Sequence, residues 1–232
     1  MKQVAPFTGF RPETIQFLKE LKENNYKQWF EEHKHVYQEH LMEPLKSFAT
    51  TTSLAMHNLD PAFDLRLVKM LSRIYRDVRF SINKDPYNSN MWINYQRQNT
   101  HWESFPGFFA EIGTEHFMYG MGLFMPKRKM MDRFREEISY CRESFEKMSE
   151  KALSAGFVIE GDKYKRELAN NLPEAFQPWM HRKNVYVVKT LPLSDERIYS
   201  EAIALQLIED FSQIADLYQF MVSVVEEADQ GI

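Results

Sequence analysis

Phe108-Phe109-Ala110-Glu111-Ile112-Gly113-Thr114-Glu115-His116-Phe117-Met118-Tyr119-Gly120-Met121-Gly122-Leu123-Phe124 is the stretch on which the fold turns. It holds two apolar, aromatic runs, 108–113 and 117–124, with a short connection between them. Such runs bounded by turn residues read as strands. A third, Met91-Trp92-Ile93-Asn94-Tyr95-Gln96-Arg97, precedes them. Parallel neighbours need a crossover of about a dozen residues or more, which these connections do not provide. The runs therefore predict antiparallel pairing. Gly120 and Gly122 fall two apart, so both leave the same sheet face bare, open to a backbone, a ring or a ligand, or marking a bulge under an aromatic.

Outward from this centre the period changes to that of helices. Upstream, Arg11-Pro12-Glu13 opens a first helix, with Ile15, Leu18 and Leu21 on its apolar side. Asn24-Asn25 ends it and offers a cap to the next, which is predicted over 26–57 with a kink at Pro44. Its stripe reads Trp29, His33, Val36 or Tyr37, His40 or Leu41, Leu45 and Phe48. Downstream, Met131, Phe134, Ile138, Cys141, Phe145, Met148 and Ala152 alternate threes and fours, predicting one unbroken helix over 127–155 closed by Gly156.

Residues 157–162 read as a short strand, 173–181 as a helical turn and 184–189 as a strand. A last helix over 194–228, capped by Ser194-Asp195-Glu196, carries Leu207, Phe211, Ile214, Tyr218, Met221 and Val225. The expectation is a single α+β domain over 1–232. Its mainly antiparallel sheet has about four to six strands, covered by long amphipathic helices, with the helical part 11–60 packed on it.

Composition narrows the function classes. The chain has 232 residues, 44% hydrophobic and 27% charged, with a formal net charge of −4 and pI about 6.0. A dedicated nucleic-acid binder shows a basic excess, so nucleic acid is an unfavoured partner. The single cysteine, Cys141, excludes an internal disulfide or a thiolate zinc cluster and is expected in the core. No apolar run approaches a membrane span, and residues 1–10 lack the apolar centre of a signal peptide. A cytoplasmic protein away from membranes is expected.

The chemistry-bearing stretch is Leu71-Ser72-Arg73-Ile74-Tyr75-Arg76-Asp77-Val78-Arg79-Phe80-Ser81-Ile82-Asn83-Lys84-Asp85-Pro86-Tyr87. On a helix, Arg73, Arg76 and Arg79 would share one broad face. On a strand, Arg73 and Arg79 would lie together and Arg76 opposite. The reading adopted is a short irregular or helical segment entering an ordered loop at 81–87. Guanidinium forks onto carboxylate or phosphate, and three so close repel unless anions sit among them. Asp77 answers one of them, or at most two. Either the surplus faces an anionic ligand, or acids from elsewhere complete a structural ion-pair network.

Several stretches together resemble domain-of-unknown-function family 2461. They are Phe7-Thr8-Gly9-Phe10, residues 24–30 (Asn-Asn-Tyr-Lys-Gln-Trp-Phe), His33-Lys34 with Tyr37 and Pro44, residues 73–81, and Lys84-Asp85-Pro86-Tyr87. Gly120-Met121-Gly122 with Pro126 is similar to that family's glycine-rich strand. The resemblance implies an α+β fold and no particular activity. The chain departs from the pattern at Asn83, Asp85 and Asn88, where the family carries an acid, a serine and a lysine, which leaves this loop less basic.

Other chemistries find little support. His33 and His35 diverge on a helix, and His33 and His40 lie two turns apart, so no metal set forms. There is no Gly-x-Ser-x-Gly turn and no phosphate-cradling glycine loop, and no cofactor is implied. Asp77 beside arginines is a stabilised anion rather than a base. The candidate ligand-binding residues are therefore Arg73, Arg76, Asp77, Arg79, Lys84 and Tyr87. The expected function is binding of a phosphate- or carboxylate-bearing small molecule, with turnover left open. The alternative is a non-catalytic protein-interaction domain in which the arginine motif is an internal staple.

Overall fold

A computed structural model describes residues 5–229 apart from 102, 167 and 169. The fold is α+β, about half helical, with a five-stranded antiparallel sheet. The strands are β1 (Met91–Tyr95), β2 (Gly107–Ile112), β3 (His116–Leu123), β4 (Val158–Glu160) and β5 (Val185–Pro192), in the order β1-β2-β3-β5-β4. The β2–β3 connection is the short one read from the sequence. At the other end β4 pairs with β5 antiparallel, Ile159 opposite Val187.

The chain divides into two compact units. One comprises the described residues of Met1–Tyr95, Phe109–Met118 and Thr190–Ile208; the other comprises those of Gln96–Phe108, Tyr119–Lys189 and Glu209–Ile232.

In the first unit, α1 (Pro12–Glu23) is followed by a helical region less regular than the single kinked helix expected over 26–57. It consists of α2 (Lys27–Glu32), the single turn α3 (Lys34–Val36), a π-helical turn (Tyr37–Met42) and α4 (Glu43–Leu59). The Glu43 amide reaches back five residues, to the Gln38 carbonyl. The irregularity thus lies ahead of Pro44 rather than at it. Pro44 has no N–H for the His40 carbonyl, and the wholly buried Thr14 of α1 supplies the donor instead, Oγ1 to His40 O at 2.5 Å. Helix α4 packs on β1, where the Thr52 and Tyr95 hydroxyls meet at 2.6 Å. The Phe48, Phe10 and Phe117 rings form a mutual cluster, with centres 5.7 Å apart for Phe10–Phe48, 6.0 Å for Phe48–Phe117 and 5.7 Å for Phe10–Phe117. A four-residue helix, α5 (Leu67–Met70), precedes the arginine motif.

In the second unit, the unbroken helix expected over 127–155 is two helices, α6 (Arg128–Tyr140) and α7 (Arg142–Ser154). Cys141 is their junction, with φ −101° and ψ 35°, and it is half-buried rather than in the core. Its carbonyl accepts from both Phe145 N and Ser144 Oγ, each at 2.9 Å, so a side-chain donor shares the acceptor at the break. The core face continues across it: Phe134, Ile138, Phe145 and Ala152 are all fully buried. Phe145 packs edge-on against Trp179 of the short α8 (Gln177–Met180), at 5.1 Å.

The last helix is also divided. Asp195 caps only a 3₁₀ turn (Glu196–Tyr199), after which come α9 (Ala202–Gln213) and α10 (Ala215–Asp229). Its predicted stripe is retained, Leu207, Phe211, Ile214, Tyr218, Met221 and Val225 all being buried.

The bare face at Gly120 and Gly122 is filled by the chain itself. A Cβ on Gly120 would stand 2.1 Å from the Val187 carbonyl oxygen, and one on Gly122 2.4 Å from Tyr186 Cα. Neither site has room for a side chain, because the β5 backbone comes too close.

Candidate functional site

The arginine motif is extended, not helical. Leu71 bridges to Ile93 and Tyr75 to Tyr87, both antiparallel, so residues 71–76 run beside 86–93, a stretch that leads into β1 and includes its first residues. Ser72 N donates to Trp92 O, Arg76 N to Pro86 O and Asn88 N to Ile74 O. Ile74 is the inward anchor, 2% exposed, and its burial selects the extended register. Strand alternation then separates Arg73 from Arg76.

Tyr87 closes this ribbon. It is buried, stacked on Phe30 of α2 at 4.2 Å between ring centres, and 5.5 Å from Tyr75. Both backbone groups of Tyr87 bond to the Asn25 side chain, each at 3.0 Å. Asn25 is therefore a clamp on the motif rather than the helix cap expected; the N-cap residue of α2 is Tyr26. Burial pushes the Tyr87 hydroxyl above its ordinary range. Tyr87 is thus held as an anchor behind the loop.

The three arginines have different surroundings. Arg79 forks onto Asp77, Nε to Oδ1 at 2.9 Å and Nη2 to Oδ2 at 2.6 Å, and its own amide bonds the same carboxylate. The Arg79 hydrogen bonds hold the Asp77 carboxyl down at about 2. The same Asp-x-Arg closure recurs at Asp64–Arg66 and at Asp195–Arg197. It is a local turn device that needs no ligand, and both members are exposed. Arg76 is half-buried, and among the described residues its guanidinium reaches only the Ser81 hydroxyl, at 3.5 Å. Arg73 is exposed. Neither Arg73 nor Arg76 has a carboxylate partner among the described residues.

Loop 77–85 is held by its own polar groups. Lys84 Nζ donates to Val78 O at 3.0 Å, and Asn83 bonds both the Asp85 carboxylate and the Asp85 amide. The loop thus brings Arg76 to Ser81 and ties Lys84 to Val78, while Arg73 stays on the outer edge. Phe80 and Ile82 are almost wholly exposed, 94% and 102%.

Three polar arrangements escaped the sequence reading. Arg182 is buried and donates to three carbonyls, those of Pro178 (2.8 Å), Gly161 (2.5 Å) and Ile159 (2.6 Å), and burial lowers its pKa. Asp210 on α9 takes Tyr119 Oη at 2.6 Å and Lys189 Nζ at 2.7 Å. Glu111, buried in β2, takes Asn90 Nδ2 at 2.7 Å, and burial raises its pKa. No spacing rule joins residues so far apart in sequence. Of the histidines considered for metal, His33 stacks on Trp29 at 4.1 Å and bonds its carbonyl. Among the described residues no group of three or more His, Cys, Asp or Glu is placed to hold a metal ion, and no helix is long and apolar enough to cross a membrane.

No curated protein matches the chain. A family model described as conserved hypothetical protein (DUF2461) matches residues 13–220, a span that takes in the clamp, the extended motif and its loop. The chain belongs to that family.

Proposed function

We propose that the protein, in the cytoplasm, binds a phosphate- or carboxylate-bearing small molecule at the loop 77–85, with Arg76 as the principal contact. The observation that carries this is the state of Arg76: half-buried, without a carboxylate among the described residues, and bonded at the limit of distance to a hydroxyl. A partly desolvated guanidinium without a counter-charge favours an incoming anion. Ser81 Oγ accepts from Arg76 and keeps its hydroxyl proton to donate to an anion, and Lys84 on the same loop supplies a second cation. A chain with one cysteine suits a reducing compartment.

Thermal unfolding at constant ionic strength tests the reading with phosphate, pyrophosphate and a nucleotide, in wild type and Arg76→Gln. Ligand at about 100 times its Kd stabilises by about 2.7 kcal/mol. For a chain of this size that corresponds to a rise in Tm of roughly 5–10 °C. The variant should lose the rise. Equal responses of both proteins to every anion would reject the site.

The second reading, a protein-interaction domain stapled by its arginines, is supported by the closed Asp77–Arg79 pair. It accounts for Arg79 and leaves Arg73 and Arg76 without a role.

A further inference from the structure

We infer that the outer edge at residues 73–77 takes up an extended, acidic and apolar segment of a partner protein by strand addition. The inference stands apart from the anion site, since it uses Arg73, the Tyr75 backbone and the loop tip rather than Arg76. The Tyr75–Tyr87 bridge is bonded through its flanking residues, Arg76 N to Pro86 O and Asn88 N to Ile74 O. In an antiparallel ladder that geometry turns the N–H and C=O of Tyr75 itself away from the ribbon. Among the described residues neither has a partner. The Arg73 carbonyl is already taken by Asn88 Nδ2 at 2.9 Å, so the opening is at Tyr75, and an open edge position of this kind is a template for another strand.

Three side-chain features select the occupant. Arg73 is exposed at this edge without a carboxylate among the described residues, and a neighbouring acid would complete it. Phe80 and Ile82 are 94% and 102% exposed and Tyr75 is 57% exposed, in a stretch of eight residues. Apolar side chains concentrated in this way mark an interaction surface. The segment 73–87 carries four cations (Arg73, Arg76, Arg79, Lys84) and two carboxylates (Asp77, Asp85), a net of +2 in a chain of net −4. The remainder therefore carries −6. A bilayer or a nucleic-acid duplex meets that whole field, whereas a short segment meets only the loop within about one Debye length of ~10 Å. Local positive charge on an acidic chain therefore favours a narrow acidic strand over a broad anionic surface.

The test is selection from a random twelve-residue display library on the full chain, followed by synthesis of the enriched peptides and fluorescence anisotropy. The expected peptides alternate acidic and apolar residues. Their affinity should fall at least tenfold with Arg73→Gln, with Phe80→Ser combined with Ile82→Ser, and on N-methylation of the peptide backbone, which removes ladder donors but no side chain. All three protein positions are exposed, so the variants should melt with wild type. Several outcomes overturn the inference: no enrichment, enriched peptides without acidic bias, or binding indifferent to the variants or to N-methylation. Binding to phosphatidylglycerol vesicles in place of peptides would assign the edge to a membrane. Concentration-dependent self-association of Arg73→Gln without peptide binding by wild type would make Arg73 a guard against edge pairing. A phosphate response that persists while peptides fail would leave the anion site standing alone.

Discussion

Asn25 holds Tyr87 from both sides of one residue: its Nδ2 donates to the Tyr87 carbonyl and its Oδ1 accepts from the Tyr87 amide, each at 3.0 Å. A side-chain amide thereby takes the place of a strand partner and fixes where the arginine loop ends. Removing it leaves two backbone groups beside a buried ring without partners. Asn25→Ala should therefore cost about 1–3 kcal/mol in chemical denaturation. Asn25→Asp should cost at least as much at neutral pH, since a carboxylate cannot donate to the carbonyl. A loss below about 0.5 kcal/mol for both would mean that water replaces the clamp.

Phe134 and Phe211 are fully buried, each among other rings: Phe145, Trp179 and Phe220 for the first, Phe108 and Tyr119 for the second. Truncation of either to alanine should destabilise by about 3–5 kcal/mol. Urea unfolding measures this, and a value under about 1 kcal/mol would show that the site collapses around the void.

The helical stripes were legible at these positions because periodicity reports which face is buried. It does not report whether the backbone is continuous. Phe134 and Phe145 obey one stripe although Cys141 interrupts the helix between them, and Phe211 and Tyr218 do so across Ile214. The ambiguity in the stripe at Val36 or Tyr37, and again at His40 or Leu41, was the trace of the π-helical turn. The antiparallel sheet was legible from short connections. The conformation of the arginine motif was not, because a three-residue spacing suits a helix, and the deciding facts were the burial of Ile74 and pairing with 86–93. That Arg79 is already answered follows from a two-residue spacing to Asp77 that the sequence displays three times.

Glu111 gives a pH signature. Its folded pKa is raised by burial, partly offset by the Asn90 hydrogen bond, against about 4.3 in an unfolded chain. Below about 4.3 both states are protonated and the residue costs nothing. As pH rises past that value the unfolded chain releases its proton first, so stability falls until the folded pKa is passed and then levels. Glu111→Gln keeps the acceptor for Asn90 without the charge. Its Tm should exceed that of wild type at pH 7 and approach it at pH 4. The same difference at both pH values would show that the effect is not ionisation.

Gly120→Ala tests the close approach of β3 and β5. The added carbon would stand 2.1 Å from the Val187 oxygen, a backbone atom that cannot step aside alone. The expected loss is at least about 1–3 kcal/mol, read as a lower urea midpoint. Gly113→Ala is the control, because its nearest neighbour would lie at 3.6 Å.

The wide turn at Tyr37–Met42 has an evolutionary meaning. A π-helical turn is where a helix absorbs one residue more than its phase requires. Ordinary helix stretches tolerate no change of length, because one residue more or less swings everything beyond it by about 100°. Here the surplus is already confined to one turn, and Gln38 and Glu39 within it are exposed. Dropping either would let the turn tighten while Phe30 and Phe48, on opposite sides of it, keep their aim. Length variation among related chains is therefore expected to collect at this turn, upstream of Pro44, with the Thr14 hydroxyl still meeting the carbonyl that the proline leaves bare.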